Sequence, residues 1–222
     1  MKTRNIKTKA RIALTGKWSG AVLASLTYIA VTYLSNYLLL LVSGGTSTPA
    51  LLSAYTISLI LSLLLLLFHA GVRLYFLRLA RGEEAGLISI VEAYRSQPDR
   101  FLISGFLRCL PFYAVSVPLL FSDSSSPLIT AFTVICAIAG AACLLIYGLT
   151  DLLLFAHPEF GALDALRESR RLMQGNKLRL FRLYLSFIGW LLLIVLSLGI
   201  ASPWIIAYFE ETFCCFYESI EK

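Results

Sequence analysis

The sequence predicts an all-α polytopic membrane protein, with six transmembrane helices in three hairpin repeats and amphipathic surface helices on the cytoplasmic face. Three observations carry that expectation. Of 222 residues, 58% are hydrophobic and only 14% charged, with a mean hydropathy of +0.79; soluble domains carry about 25% charged residues to wet their surfaces. Several apolar runs reach the ~18–20 residues that cross a hydrocarbon core. The 19 Lys and Arg avoid every second connection between those runs.

The N-terminal segment to Lys17 holds Lys2, Arg4, Lys7, Lys9, Arg11 and Lys17 and no acid. Ile6, Ala10, Ala13 and Leu14 recur at helical spacing, which predicts a short surface helix. The first span follows from about Gly20 to Leu41 and ends in the uncharged turn Ser43-Gly-Gly-Thr-Ser-Thr-Pro49. A basic stretch before an apolar one resembles a signal peptide, but this run exceeds the ~7–15 residues of a signal core, so a retained helix is expected.

The second span is expected over about Leu51 to Leu77, leaving through Arg73, Arg78 and Arg81. A second surface helix comes next, with Leu87, Ile90, Val91 and Tyr94 on one stripe and Ser89, Glu92 and Arg95 opposite. Pro98-Asp-Arg100 predicts a break before the third span, about Phe101 to Phe121, in which Pro111 and Pro118 each remove a backbone bond. Ser122 to Pro127, which carries Asp123 but no Lys or Arg, forms the next turn.

The fourth span, about Leu128 to Phe155, carries Ala137, Gly140, Ala141 and Ala142 as a small-residue face for close helix contact. The third surface helix aligns Ala162, Ala165, Leu166, Ser169, Leu172 and Met173. On its other face Asp164/Arg167 and Glu168/Arg171 are spaced for helix ion pairs. Gly175-Asn176 makes a bend, the fifth span runs from about Leu183 to Ser202, and Pro203-Trp204 reverses the chain. Trp204 to Ile220 is just long enough to cross back.

Because no Lys or Arg lies at 43–49, 122–127 or 202–204, the positive-inside rule puts both termini in the cytoplasm. The order surface helix, break, span, short outer turn, span recurs over about 1–79, 80–156 and 157–222, within a single membrane domain. Shifting by about 76 residues lays Ala80-Arg-Gly-Glu83 over Ala156-His-Pro-Glu159, and Ala10 to Trp18 resembles Leu172 to Lys177.

The five cysteines, Cys109, Cys136, Cys143, Cys214 and Cys215, sit in apolar runs without Cys-x-x-Cys spacing. They are expected to be reduced thiols packing as small hydrophobes, with no disulfide or zinc framework.

Six residues are candidates for an intramembrane polar site: Glu210, Glu211, His69, Arg73, Arg108 and Asp151. Acids in a span are costly and by default functional; Glu210 or Glu211 is expected to pair with Arg73 or Arg108, or to carry a proton. The competing reading hydrates both acids at an interface. Snorkelling accounts for Arg73, Arg108 and Asp151 without function, and a neutral imidazole bonded to a neighbouring helix accounts for His69. Arg170, Arg171, Lys177, Arg179 and Arg182 set the topology and are candidate contacts for anionic phospholipid headgroups.

The run Ser169-Arg-Arg-Leu-Met-Gln-Gly-Asn-Lys177, with Phe181 to Trp190, Leu196 to Ile200 and Phe216-Tyr-Glu218, resembles the domain-of-unknown-function family 975 of bacterial integral membrane proteins. Leu77 to Glu84 and Gly16-Lys-Trp18 fit the same pattern. The resemblance implies a bacterial cytoplasmic membrane protein, similar to the membrane domain attached to some glycerophosphodiester phosphodiesterases. It implies no established activity and no catalytic residue, and Glu210-Glu211 stand where the family pattern has smaller or amide residues.

No phosphate loop, His-Glu-x-x-His or Gly-x-Ser-x-Gly occurs, so no enzyme and no cofactor is expected. Two functions remain open. One is a small transport or export component for a peptide or lipid-like solute, which needs a polar path past the six candidates. The other is a non-transporting module that binds anionic lipid or a partner membrane protein, or assembles with itself. No nucleic-acid partner is expected. A cavity reaching Glu210 and Glu211 would favour the first, and a solid core would remove it.

Overall fold

The computed structural model describes residues 3–42, 48–95, 98–121 and 127–221. The described residues form helices joined by short turns, without strands. The helices are α1 (Thr3–Leu14), α2 (Trp18–Val42), α3 (Thr48–Arg81), α4 (Ser89–Arg95), α5 (Pro98–Phe121), α6 (Pro127–Tyr147), α7 (Thr150–Ala156), α8 (Ala162–Leu172), α9 (Lys177–Leu185), α10 (Ile188–Leu196) and α11 (Ser202–Glu221). Among the described residues four helical stretches are long and apolar enough to cross a membrane: Trp18–Leu41, Thr56–Arg81, Pro127–Ala156 and Lys177–Leu196. The helix α11 occupies the place of one further expected span but falls short of that standard, because Glu210, Glu211 and Glu218 lie within it. The helix α5 occupies the place of the other; its side chains at 112–113 and 115–121 lie outside the described residues.

The surface helices α1 and α8 bury the faces their periodicity predicts. Ile6, Ala10 and Leu14 are buried on α1, and Ala162, Ala165, Leu166 and Ser169 on α8. The pairs Arg167–Asp164 and Arg171–Glu168 form at 3.2 and 2.8 Å. Gly16 and Gly175 leave α1 and α8 with φ of +78° and +82°, the left-handed turn that glycine makes without a Cβ penalty.

Several expectations are corrected. On α4 the buried residues are Ser89 and Ile90, while Leu87, Val91 and Tyr94 are exposed. The helix docks on α3 at Gly71, and Arg78 gathers Ser89 and Glu92 at 2.7 and 2.9 Å. A polar clamp and one close approach, not an apolar stripe, therefore orient it. Helix α4 ends at Arg95 and α5 begins at Pro98, so the helices separate ahead of the third span as expected, with proline at home in a first helical turn; residues 96–97 lie outside the described residues. Helix α5 continues through Pro111 and Pro118. Of the small-residue face on α6, only Gly140 is buried; Ala137, Ala141 and Ala142 are exposed. The turns at 43–47 and 122–126 lie outside the described residues.

The fifth expected span is two helices. At Ser186-Phe187 the ladder tightens, with Trp190 N–H donating to Phe187 O, and the Ser186 carbonyl accepts from Lys7 Nζ of α1 at 3.0 Å. A second chain element thus satisfies the carbonyl that the break releases. The following reversal is made by Leu198 and Gly199, with φ of +52° and +89°, not by Pro203-Trp204, which open α11. There Ser202 Oγ donates to the Gly199 carbonyl.

Helix α11 is the hub. It is buried from Ile205 through Tyr217 on nearly every side and packs against α1, α2 and α3. His69 meets Glu210 and the Arg73 carbonyl meets Cys214, so α3 and α11 run parallel. At ~1.5 Å per residue, α3 continues roughly 20 Å past the level at which α11 begins. The reversal before α11 therefore lies well short of the far end of α3. The core gathers where α3, α7 and α11 meet, and the remaining lengths of α2, α6 and α10 present leucine and isoleucine outward.

Candidate functional site

Five of the six candidate polar residues converge from four elements. His69 and Arg73 lie one turn apart on α3, Arg108 comes from α5, Asp151 from the first turn of α7, and Glu210 from α11. His69 Nε2 is 3.3 Å from Glu210 Oε1. Arg73 Nη1 donates to Asp151 Oδ2 and to the Gly148 carbonyl, each at 2.9 Å. Arg108 Nη1 lies 3.0 Å from the same Oδ2. Arg73 Nε is 3.4 Å from Glu210 Oε2, near enough to pair by charge but not aligned as a hydrogen bond.

The result is one branched chain, His69–Glu210–Arg73–Asp151–Arg108. Arg108 is 5% exposed, Asp151 2% and Glu210 6%. With a neutral imidazole its two guanidinium groups balance its two carboxylates, which is what lets charges stay out of water. The aromatic rings complete the seat: Arg73 stacks over Phe213 at 4.7 Å, and His69 tilts against Tyr28 at 5.2 Å.

The local structure explains the placing of Asp151. The chain pauses at Gly148-Leu149 between α6 and α7, and the Gly148 carbonyl turns to Arg73 instead of closing a helical bond. The surface helices sit at the network's level. Gly71, between His69 and Arg73, touches α4; Ser169 of α8 donates to the Ile146 carbonyl at 2.9 Å, next to the Tyr147 carbonyl that receives Arg108. Arg11 of α1 lies over the ring of Tyr208, two residues before Glu210.

Glu211 stands apart. It points away from the network and is fully buried; its Oε1 accepts a long contact from Cys215 Sγ at 3.6 Å, and its Oε2 has no hydrogen-bond partner among the described residues. Of the described cavities none is lined by Glu210 or Glu211, and Arg108 alone of the network borders one, a cleft of about 280 Å³ under α8.

Of the five headgroup candidates, Arg170, Arg171, Lys177 and Arg182 are exposed near the α8–α9 bend. Arg179 is withdrawn: it donates to Ser219 Oγ at 2.9 Å and lies over Phe216, tying α9 to α11. Phe213, Tyr28 and the Gly148 carbonyl were not expected in the site. Gly148 carries a sequence signal, a lone glycine near the end of an apolar run, but the aromatics do not. All five cysteines are free. Among the described residues no three His, Cys, Asp or Glu converge as metal ligands.

Fold and site define a class, an all-α chain with several membrane-length apolar helices around a closed, charge-balanced network. Residues 125–222 match the family model described as "Protein of unknown function (DUF975)", so this C-terminal part of the chain is similar to that family. The matched part supplies both acids of the network, Asp151 and Glu210, while His69, Arg73 and Arg108 precede it. No curated protein and no solved structure matches the chain.

Proposed function

We propose that the protein is a non-transporting, multi-pass module of the cytoplasmic membrane that binds anionic phospholipid through its basic face, with both termini cytoplasmic. The observation that carries this reading is the closure of the polar network. Its charges are used up among themselves, and no described cavity reaches Glu210 or Glu211. Five of the six candidates that a transport path would need, His69, Arg73, Arg108, Asp151 and Glu210, therefore serve as helix clasps. What faces outward with charge to spare is the α8–α9 bend, where Arg170, Lys177 and Arg182 are exposed and make no ion pair among the described residues. Each such cation near an anionic surface is attracted by ~1 kcal/mol.

Six crossings in three hairpins, rather than the four that α2, α3, α6–α7 and α9–α10 supply, would put α5 and α11 in the membrane as protein-enclosed helices. Arg108 of α5 and Glu210 of α11 are paired inside the bundle, the condition under which such charges are tolerated, while Glu211 is buried without an ion pair among the described residues. The transport reading for a peptide or lipid-like solute draws on one feature, the unpartnered Oε2 of Glu211, and would require a water path to it.

The test is purification in native lipid nanodiscs followed by lipid mass spectrometry. The reading expects anionic lipid to be enriched over bulk membrane, and Gln at Arg170, Arg171, Lys177 and Arg182 together to abolish the enrichment. Equal lipid composition in both samples would contradict it.

A further inference from the structure

We propose that a single anionic glycerophospholipid binds between α1 and the α9–α10/α11 hairpin, with its phosphate at Lys7 and Arg11 and one acyl chain in the groove beside them. This deepens the lipid-binding reading by naming a site distinct from the α8–α9 bend.

The groove is a cleft of about 440 Å³ whose walls are almost wholly apolar, formed by Phe187, Leu191 and Ile194 on one side and Ile205, Ile206 and Phe209 on the other. Leu191 and Ile188 beside it are exposed, on a stretch apolar enough to cross a membrane. It shares Ile205 with a second pocket of about 270 Å³ lined by Arg11, Trp18, Trp190, Trp204 and Tyr208. An apolar slot thus runs into an aromatic chamber with a cation at its wall. That sequence of environments matches a lipid read from tail to phosphate, with tryptophan at the boundary where headgroups begin.

The cations point to an anion. Lys7 and Arg11 lie one turn apart on α1, and each rests on an aromatic ring of these cavities, Lys7 over Phe187 at 4.2 Å and Arg11 over Tyr208 at 5.6 Å. Neither makes an ion pair among the described residues. Burial, and then the neighbouring Arg11, lower the Lys7 pKa from its ordinary value, as expected for like charges held side by side without a counter-ion. A phosphate between them supplies the missing charge. Free phosphate would leave the slot empty, so the lipid is the occupant that uses both halves.

The chain's three tryptophans are the three in this chamber, so intrinsic fluorescence reports on the site. The experiment titrates the full-length protein in detergent with phosphatidylglycerol carrying brominated acyl chains, which quench tryptophan on contact. The expected result is saturable quenching whose midpoint rises about five-fold in Arg11→Gln, the effect of one juxtamembrane cation, and rises less in Arg11→Lys, which keeps the charge but loses the guanidinium stacked on Tyr208. Brominated diacylglycerol, with the same chains and no phosphate, should quench at a much higher midpoint, and inorganic phosphate alone should not displace the lipid at millimolar concentration. Helical circular dichroism and thermal unfolding check that each variant is folded. Non-saturable quenching, an unchanged midpoint in folded Arg11→Gln, or equal midpoints for the two brominated lipids would overturn the site. The fourfold Gln variant at the α8–α9 bend should leave the midpoint unchanged, so failure there and failure here are separate results.

Discussion

Arg73 reaches across the bundle from α3 to Asp151 on α7, 2.9 Å from Nη1 to Oδ2, and through the same carboxylate oxygen it shares charge with Arg108 of α5. One carboxylate therefore holds three helices. Asp151→Asn would leave two buried guanidinium groups facing an amide. Breaking a buried pair by removing one partner costs about 3–5 kcal/mol, so Asp151→Asn should lower the midpoint of denaturant-induced unfolding sharply. Removing both Arg108 and Asp151 in favour of Met and Leu, which leaves Arg73 paired with Glu210, should cost less than Asp151→Asn alone. Equal losses would mean the pair is not coupled.

Gly71 and Gly175 should fail for different reasons when replaced by alanine. A Cβ on Gly71 would lie 1.9 Å from the Ile90 carbonyl oxygen, so Gly71→Ala must push α4 away, at roughly 1–3 kcal/mol for overpacking. Gly175 has nothing within 4 Å of an added Cβ, but its φ is +82°, and Gly175→Ala should cost about 1–2 kcal/mol from backbone conformation alone. The discriminating measurement is Gly175→Asn: asparagine tolerates the left-handed region, so it should recover part of the stability. At Gly71 asparagine should be worse than alanine.

These two glycines also mark what was legible in the sequence. The turn at Gly175 was readable because it follows a periodic surface helix whose last turn is basic. Gly71 sits in an unbroken apolar run, and nothing in that run announces a helix packed against its backbone. Likewise Glu210, Arg73 and Asp151 were conspicuous one by one as charges in apolar stretches, yet their pairing joins elements 75 or more residues apart, as the Arg73–Gly148 bond does, and no local pattern encodes that. The break at Ser186 has neither glycine nor proline to signal it, since a lysine on α1 stabilises it from outside. The orientation of α4 was misread because seven residues give barely two turns, too few for an apolar stripe to outweigh one Arg78 clamp.

The Lys7–Ser186 contact leads to a third expectation. The 3.0 Å bond to the Ser186 carbonyl joins α1 to the α9–α10 break. Hydrogen bonds to charged groups contribute about 1.5–3 kcal/mol when buried; Lys7 is only partly buried, so Lys7→Met should cost nearer 1 kcal/mol and Lys7→Arg less. Amide exchange should speed up selectively at residues 186–190, whereas a uniform rise along the chain would count against a local role.

The account's central claim is that the network around Glu210 is a sealed clasp rather than part of a water path. Cys214 is the natural reporter, fully buried with its Sγ 3.8 Å from the Arg73 carbonyl. A variant retaining only Cys214, with the other four cysteines changed to serine or alanine, would be treated with a small membrane-impermeant maleimide from each side of sealed vesicles. The account predicts no labelling from either side until the protein is denatured. Rapid labelling of the folded protein from either face would mean that water reaches the network, and the clasp reading would be wrong.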